Sequence, residues 1–403
     1  MANNFSASFE EIWALEQQRV FYKENVAMKV ADISFNSTMK SGDTLNRTYR
    51  STNKPEVYVR GTDITEDAKT DTLEQLSVNL QYANMFYRDD FDQIQDKYDI
   101  AQAYGYDNGI FLSNQVDADV LGETVNATST VDDGDLGNTA GNGISLDATN
   151  ILSVVSAAKR KIKKQNVPLS ELKAVISSEF EEVLIQYGAG RDTRMGDASN
   201  ENGYIMKFYD FELYGSNQLT GTAVMAMATQ PTDGDTVTIA GVTFTFKTTL
   251  GTTAGNVLIG ASADAARANL TALINAPDTT TAQGVALTGD NLRLVSNQLS
   301  AVNDDTANTM TVTGKGIGVL VVSETFTDAT DEWTAATQIQ HNLFMAGKNP
   351  VLVMQSMPKV ETTRAQARMG SFIKNAVLYG VKTFTDNAKR MVDVKIRSNT
   401  FDA

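Results

Sequence analysis

Apolar positions at helical spacing open the chain. Ile12, Trp13, Leu15, Val20, Phe21, Val26 and Val30 predict a helix over 8–30, with Ser8 as its cap and Glu10 and Glu11 in the first turn. Such a segment reads either as an arm or as a helix packed on its own domain. The period then changes to two. Gly42-Asp43 opens a turn, residues 44–51 and 56–60 predict strands around Asn53-Lys54-Pro55, and 70–88 reads as the next extended segment. Leu73, Leu76, Val78, Leu80 and Tyr82 alternate there with one shift of phase. Residues 91–120 predict a long helix weakened by Gly105 and Gly109. A loop over 124–145 leads to a helix over 147–165, whose last turns carry Lys159, Arg160, Lys161, Lys163 and Lys164 before Pro168 stops it. Residues 172–177 predict a strand, 179–187 a helix and 204–213 a strand with Phe208, Phe211 and Leu213.

After Leu219 the character of the chain is interrupted. Residues 222–331 are rich in Thr, Ala and Gly and poor in charge, and from about Trp333 the earlier composition returns. A linear string of domains would not return to its earlier character, so this is a host domain carrying an inserted one, placed where a surface loop already faces outward. Within the insertion, residues 235–246 alternate β-branched and aromatic residues around Ala240-Gly241, a hairpin signature. Ser262 caps a helix running to about Ala276, and 291–296, 309–313 and 319–327 read as strands, completing a small α+β unit. The host resumes with a helix over 334–346 and strands near 351–355, 376–384 and 392–397.

Composition removes most catalytic chemistry. The 403 residues include no cysteine and one histidine, so disulfides, thiolate metal sites, cysteine nucleophiles and His-rich metal sites are excluded. His341 is the one candidate for a triad, and it reads as a structural or solvent-edge residue of an amphipathic helix. Gly137–Gly143 and Gly314-Lys315-Gly316 lack the Gly-Lys-Ser/Thr ending of a phosphate cradle and read as flexible loops. Asp132-Asp133-Gly134-Asp135 lacks the alternating ligands of a calcium loop and reads as an acidic turn. No catalytic, cofactor or metal site is expected. A net charge of −15 argues against affinity for nucleic acid through phosphate neutralisation. The basic run 159–164 is accordingly read as complementing its helix end, with a nucleic-acid patch as the alternative. No stretch approaches the roughly 18 apolar residues of a membrane span, and no secretory signal is visible, so a soluble intracellular product is expected.

The predicted hairpin tip, 44–60, carries Arg47, Arg50, Lys54 and Arg60 but few large apolar groups. A two-stranded ribbon without a hydrophobic face is marginal alone. It must lie on another surface, naturally that of a neighbouring subunit; a disordered loop is the alternative.

Four stretches, in order, resemble the major capsid proteins of tailed bacteriophages, the Hong Kong 97-like α+β fold. They are Gly42-Asp43-Thr44, Arg88-Asp-Asp-Phe-Asp-Gln-Ile-Gln95, Gly203-Tyr-Ile-Met-Lys-Phe-Tyr-Asp-Phe-Glu-Leu-Tyr-Gly-Ser-Asn217 and Ala376-Val-Leu-Tyr-Gly-Val-Lys382. Residues 234–246 and Ile259-Gly-Ala-Ser262 resemble a small domain recurrent in phage structural proteins. The resemblance implies an N-terminal arm over 1–35, an E-loop hairpin with flanking strands over 36–88, and a peripheral domain with a spine helix over 89–145. An axial domain over 146–221, the insertion over 222–331, and a completion of the axial domain with return to the peripheral domain over 332–403 follow. It further implies pentamers and hexamers tiling an icosahedral head that encloses double-stranded DNA, made in the cytoplasm of a host bacterium. A separate scaffolding protein, a portal and decoration proteins would be partners, and no membrane is involved. Trp13, Arg47, Arg50, Lys54 and Arg60 are the candidate inter-subunit contacts. An encapsulin-like compartment or another virion structural protein are the rival readings. No Lys–Asn crosslinking pair can be identified.

Overall fold

A computed structural model describes residues 26–50, 55, 57–63, 68–95, 100–189 and 207–398. The expected N-terminal helix lies mostly outside these, and only Ala27–Val30 is seen as helix. In chain order the strands are β1 Thr44–Arg50, β2 Asp71–Ser77, β3 Leu80–Asp89, β4 Ser129–Val131, β5 Leu172–Ile176, β6 Lys207–Phe208, β7 Phe211–Gly215, β8 Thr220–Ala226 and β9 Thr236–Ile239. They continue as β10 Val242–Lys247, β11 Asn256–Leu258, β12 Leu299–Asp304, β13 Thr309–Gly314, β14 Val322–Glu324, β15 Ile339–Ala346, β16 Val351–Arg364, β17 Gly370–Lys382 and β18 Met391–Arg397. The chain divides into two compact units, residues 1–113 with 350–387 and residues 114–349 with 388–403. No described helix is long and apolar enough to cross a membrane.

In the first unit β1 and β2 form an antiparallel ribbon, from Thr44↔Ser77 to Arg50↔Asp71. Because β1 takes 71–77 as its partner, residues 57–59 are not the strand expected at 56–60; they belong to the long connection, which turns at Gly61 (φ 83°). The extended segment expected over 70–88 is two strands. It divides at Val78-Asn79, just past the last β1–β2 pair, where the Val78 N–H still bonds Asp43 O at 2.8 Å in the same register; the apolar phase shifts earlier, between Leu73 and Leu76. A second sheet, ordered β16–β17–β3, is antiparallel throughout. Met39, Leu76, Val78, Val351, Val353 and Phe384 form the core beneath the ribbon's base.

The second unit is organised by a nine-stranded sheet with the path β12–β13–β8–β15–β5–β7–β6, to which β18 and β4 are added beside β15. β15 corrects the helix expected over 334–346. All eight of its residues are buried, and β8, β5 and β18 all pair with it. Gln340, His341 and Asn342 mimicked the polar side of an amphipathic helix, yet all three are buried polar groups in a strand covered on both faces. Asn342 Oδ1 accepts the Ser177 N–H at 2.8 Å. His341 Nδ1 lies 2.8 Å from Asp393 Oδ2, and its Nε2 lies 3.0 Å from Thr222 Oγ1. Three strands, β18, β15 and β8, are thus tied through one imidazole.

Two apolar clusters share a face of this sheet. One packs the helices Ile151–Lys164 and Ser178–Ala189 over Phe211, Phe344, Val392 and Val394. The other lies entirely within 223–333 and joins Ala223, Met225 and Val312 to Phe244, Phe246 and the helix Ala263–Asn275. The pairing Gln340↔Gly221 puts Ala223 and Phe344 on one side, so the inserted sequence extends the host sheet. The join is close-packed. A Cβ on Gly221 would sit 2.4 Å from Ile317 O, and one on Gly316 (φ 70°) 2.6 Å from Ala118 Cβ. Lys315 Nζ lies 3.9 Å from Asp119 Oδ1 in the helix Ile100–Gly122. Gly314-Lys315-Gly316, expected as a flexible loop, is this packed joint.

Within the insertion, β9 and β10 make the expected hairpin through Ala240 (φ 49°) and Gly241 (φ 82°), and Ser262 caps its helix through Ala265 N–H. The strand expected at 291–296 is instead part of the helix Gly289–Gln298, and of 319–327 only β14 is a strand. Arg267 is fully buried, donating to Met227 O, Asp264 and Asn303. The outer edge of β12 is covered by Asn275, which both donates to Ala301 O (2.8 Å) and accepts from Ala301 N (2.9 Å). The strand expected over 204–213 is the β6–β7 hairpin, turning through Tyr209 and Asp210, both with positive φ.

Replacing His341 with Leu leaves the Asp393 carboxylate buried without its imidazole partner. A loss of about 3–5 kcal/mol is expected from the denaturant midpoint, and a smaller loss when Asp393 is changed to Leu as well. Asp147 accepts from the Thr149 hydroxyl and from the Thr149 and Asn150 N–H groups before the Ile151–Lys164 helix, and these bonds, the Thr149 hydroxyl first, hold its carboxyl below the ordinary value. A depressed native pKa stabilises above the unfolded value of about 3.9 and loses that contribution as pH falls through the native one. The stability gap between the wild type and Asp147→Ala should therefore be full at neutral pH and close on acidification, when unfolding is followed across pH 2–7.

Candidate assembly surface

The ribbon β1–β2 is exposed at most of its positions. Its seven residue pairs span about 24 Å, and the connection beyond it presents Val57 (86% exposed), Tyr58 (62%) and Val59 (58%). Leu73 on β2 is exposed as well. Exposed β-branched and aromatic residues beyond an outlying ribbon are a surface that gains by being covered.

The sequence-predicted contact residues separate on this surface. Arg50 and Arg60 are exposed, the first at the end of β1 and the second at the turn into Gly61. Arg47 is engaged in its own chain. Its Nη2 lies 2.9 Å from Asp386 Oδ2, and its guanidinium carbon lies 5.1 Å from the ring centre of the buried Phe384. Trp13 and Lys54 fall outside the described residues. The apolar triplet 57–59 is an exposed segment and not the strand that its alternating Val-Tyr-Val predicts, so sequence reasoning does not single it out as a contact surface.

The basic run of the Ile151–Lys164 helix is also spent within the chain. Lys161 pairs with Asp135 at 2.5 Å and also donates to Thr130 O, and Arg160 lies 3.6 Å from Asp135. Lys159 donates to Asp210 at 2.5 Å, and that bond, followed by the charge of the same lysine, lowers the Asp210 pKa. Asp132 accepts from Gly134 N and Gly141 N, so the acidic sequence is a capped turn, as expected. His341 and Asp393, with Thr222, have the contacts of a triad, but the first two are 4% and 1% exposed in the middle of a sheet, where a substrate cannot reach. Among the described residues no group of three or more His, Asp or Glu is placed to hold a metal ion.

The sequence matches no protein-family model and no curated protein. Solved structures do match. One described as Mycobacterium phage Che8 is 13% identical, and the alignment covers 92% of this chain and 90% of that one with a TM-score of 0.54. The cyanophage Pam1 capsid asymmetric unit is 10% identical over 92% of this chain and 89% of its own, with a TM-score of 0.47. The capsid structure of cyanophage P-SCSP1u is 12% identical over 88% and 84%, also at 0.47. On the match that spans nine-tenths of both chains, this protein has the Hong Kong 97-like fold of the tailed-phage major capsid proteins.

Proposed function

We propose that this chain is a major capsid protein that assembles through pentamers and hexamers of itself into an icosahedral head enclosing double-stranded phage DNA. The observation that carries the reading is the near-complete overlap with a phage structure of this fold. The exposed ribbon and its Val57-Tyr58-Val59 segment support it, because a protein that functions as a monomer rarely holds such a segment in water. The role is structural rather than catalytic. Residues 1–35 serve as an arm, 36–88 as the E-loop and its flanks, 89–145 with the return of the chain after 350 as the peripheral domain, and 146–221 with the strands around β15 as the axial domain. Residues 222–331 are the insertion. A separate scaffolding protein and a portal are the expected partners, decoration proteins are optional, and the location is the virion after synthesis in the bacterial cytoplasm. The charge of −15 suits a wall that does not hold DNA phosphates, so the genome can be pumped in and ejected.

Electron microscopy of the purified protein, with and without a co-expressed scaffolding candidate, tests this. Closed shells or five- and six-membered rings are expected; a monomer under both conditions would contradict the reading. Arg50→Glu with Arg60→Glu should leave the thermal midpoint within a degree or two and reduce the yield of shells at least fivefold, since exposed charges add little to the fold but much to partner choice. An unchanged yield removes these two residues from the interface.

A further inference from the structure

The ribbon's base is held by more contacts than its own ladder needs. Arg47 on β1 reaches Asp386 at 2.9 Å and stacks against Phe384. Directly opposite on β2, Glu74 Oε1 accepts the Thr385 N–H at 3.0 Å and the Thr385 hydroxyl as well. The next residue, Gln75, accepts from Lys382 Nζ through its backbone carbonyl at 2.6 Å. All of these partners lie in the seven residues from the end of β17 to the short helix Thr385–Ala388. Below them Gly380 lets β17 approach the ribbon so closely that an added Cβ would meet Ser77 O at 2.5 Å.

A single half-exposed ion pair restrains little. Here a cation and an anion that face each other across the ribbon, and so share one of its faces, each reach a different group of one three-residue segment, so that both strands are held to it. A two-stranded ribbon attached only by chain continuity at Val78-Asn79 would pivot at that point. Resting on the reading of the ribbon as an inter-subunit element, we infer that Arg47–Asp386 and Glu74–Thr385 form an intrachain latch that fixes the angle at which the ribbon projects. Arg47 and Glu74 are positioning residues. They do not touch the neighbouring subunit; they aim the segment that does, so a second copy meets Val57, Tyr58 and Val59 in one place instead of many. Pre-setting the angle lowers the ordering cost of each contact formed during assembly.

The absence of cysteine makes the test direct. Spin labels on Thr48→Cys in the ribbon and Lys374→Cys on β17 report the projection angle in unassembled protein. A single narrow distance distribution is expected with the latch intact. Arg47→Asp should at least double its width, and adding Asp386→Arg in the same chain should narrow it again and restore shells. An unchanged width in Arg47→Asp would overturn the latch. So would the opposite complementation, in which mixing Arg47→Asp chains with Asp386→Arg chains restores shells and the double variant does not, for that would make the pair an inter-subunit contact. If the distribution narrows and widens as described but no variant, wild type included, forms rings or shells, the latch stands and the assembly reading falls.

Discussion

Everything in the second unit depends on the burial of β15. A strand with all eight residues out of water and partners on both sides must satisfy its polar groups inside the protein. Its backbone pairs with three neighbours drawn from distant parts of the chain, β18 from the C-terminus, β5 from the host and β8 from the entry to the insertion, while Gln340 Oε1 and Asn342 Nδ2 stay buried without a hydrogen-bond partner. His341 joins two of these neighbours through its two ring nitrogens. The single histidine of the chain is therefore spent on architecture, and the same position that suggests a triad shows why there is none. A catalytic imidazole needs a face open to substrate, whereas this one has both nitrogens occupied and both faces of its strand covered.

The consequence for the inserted sequence is physical continuity with the host. Its composition differs sharply, and it carries its own apolar cluster, which are the marks of a separable domain. Yet β8 lies between β13 and β15, and the packed joint at Gly221, Gly316 and Gly318 leaves no room for a flexible tether. Ala118 and Gly122 of the long helix meet Gly316 and Lys315 in the same place. In the first unit the ribbon is treated similarly, held by polar contacts to the segment 382–386. The ribbon's contacts place rigidity beside the surface proposed to meet other subunits, which suits a molecule whose contacts must repeat many times with one geometry.

The sequence was most legible where one local rule dominated. Ala240-Gly241 between alternating strands, Ser262 before an apolar helical face and the basic end of the Ile151–Lys164 helix all have their structural meaning written within a few residues. It was least legible where tertiary burial overrode the local pattern. Gln340, His341 and Asn342 look like a solvent face until their burial is known, together with the partners of His341 and Asn342 up to 165 residues away. Gly289–Gln298 looks like a strand because Leu292, Leu294 and Val295 crowd together, but it is a helix that hands over directly to β12. For the assembly surface, four arginines and lysines in the hairpin region were visible, while nothing local to Arg47 marks Asp386, 339 residues on, as its partner. The apolar triplet beyond the ribbon was visible as a pattern and misread as a paired strand.

The central claim is that one sheet runs through host and insertion, with β15 as its keel. Native-state hydrogen exchange measures this directly, because amides that open only together share one opening free energy. The account predicts that the amides of β8, β13, β15 and β18 exchange with a common free energy and a common denaturant dependence. If β13 and the rest of 223–333 open independently, well before β15 and β18, then the insertion is an attached bead and the claim is wrong.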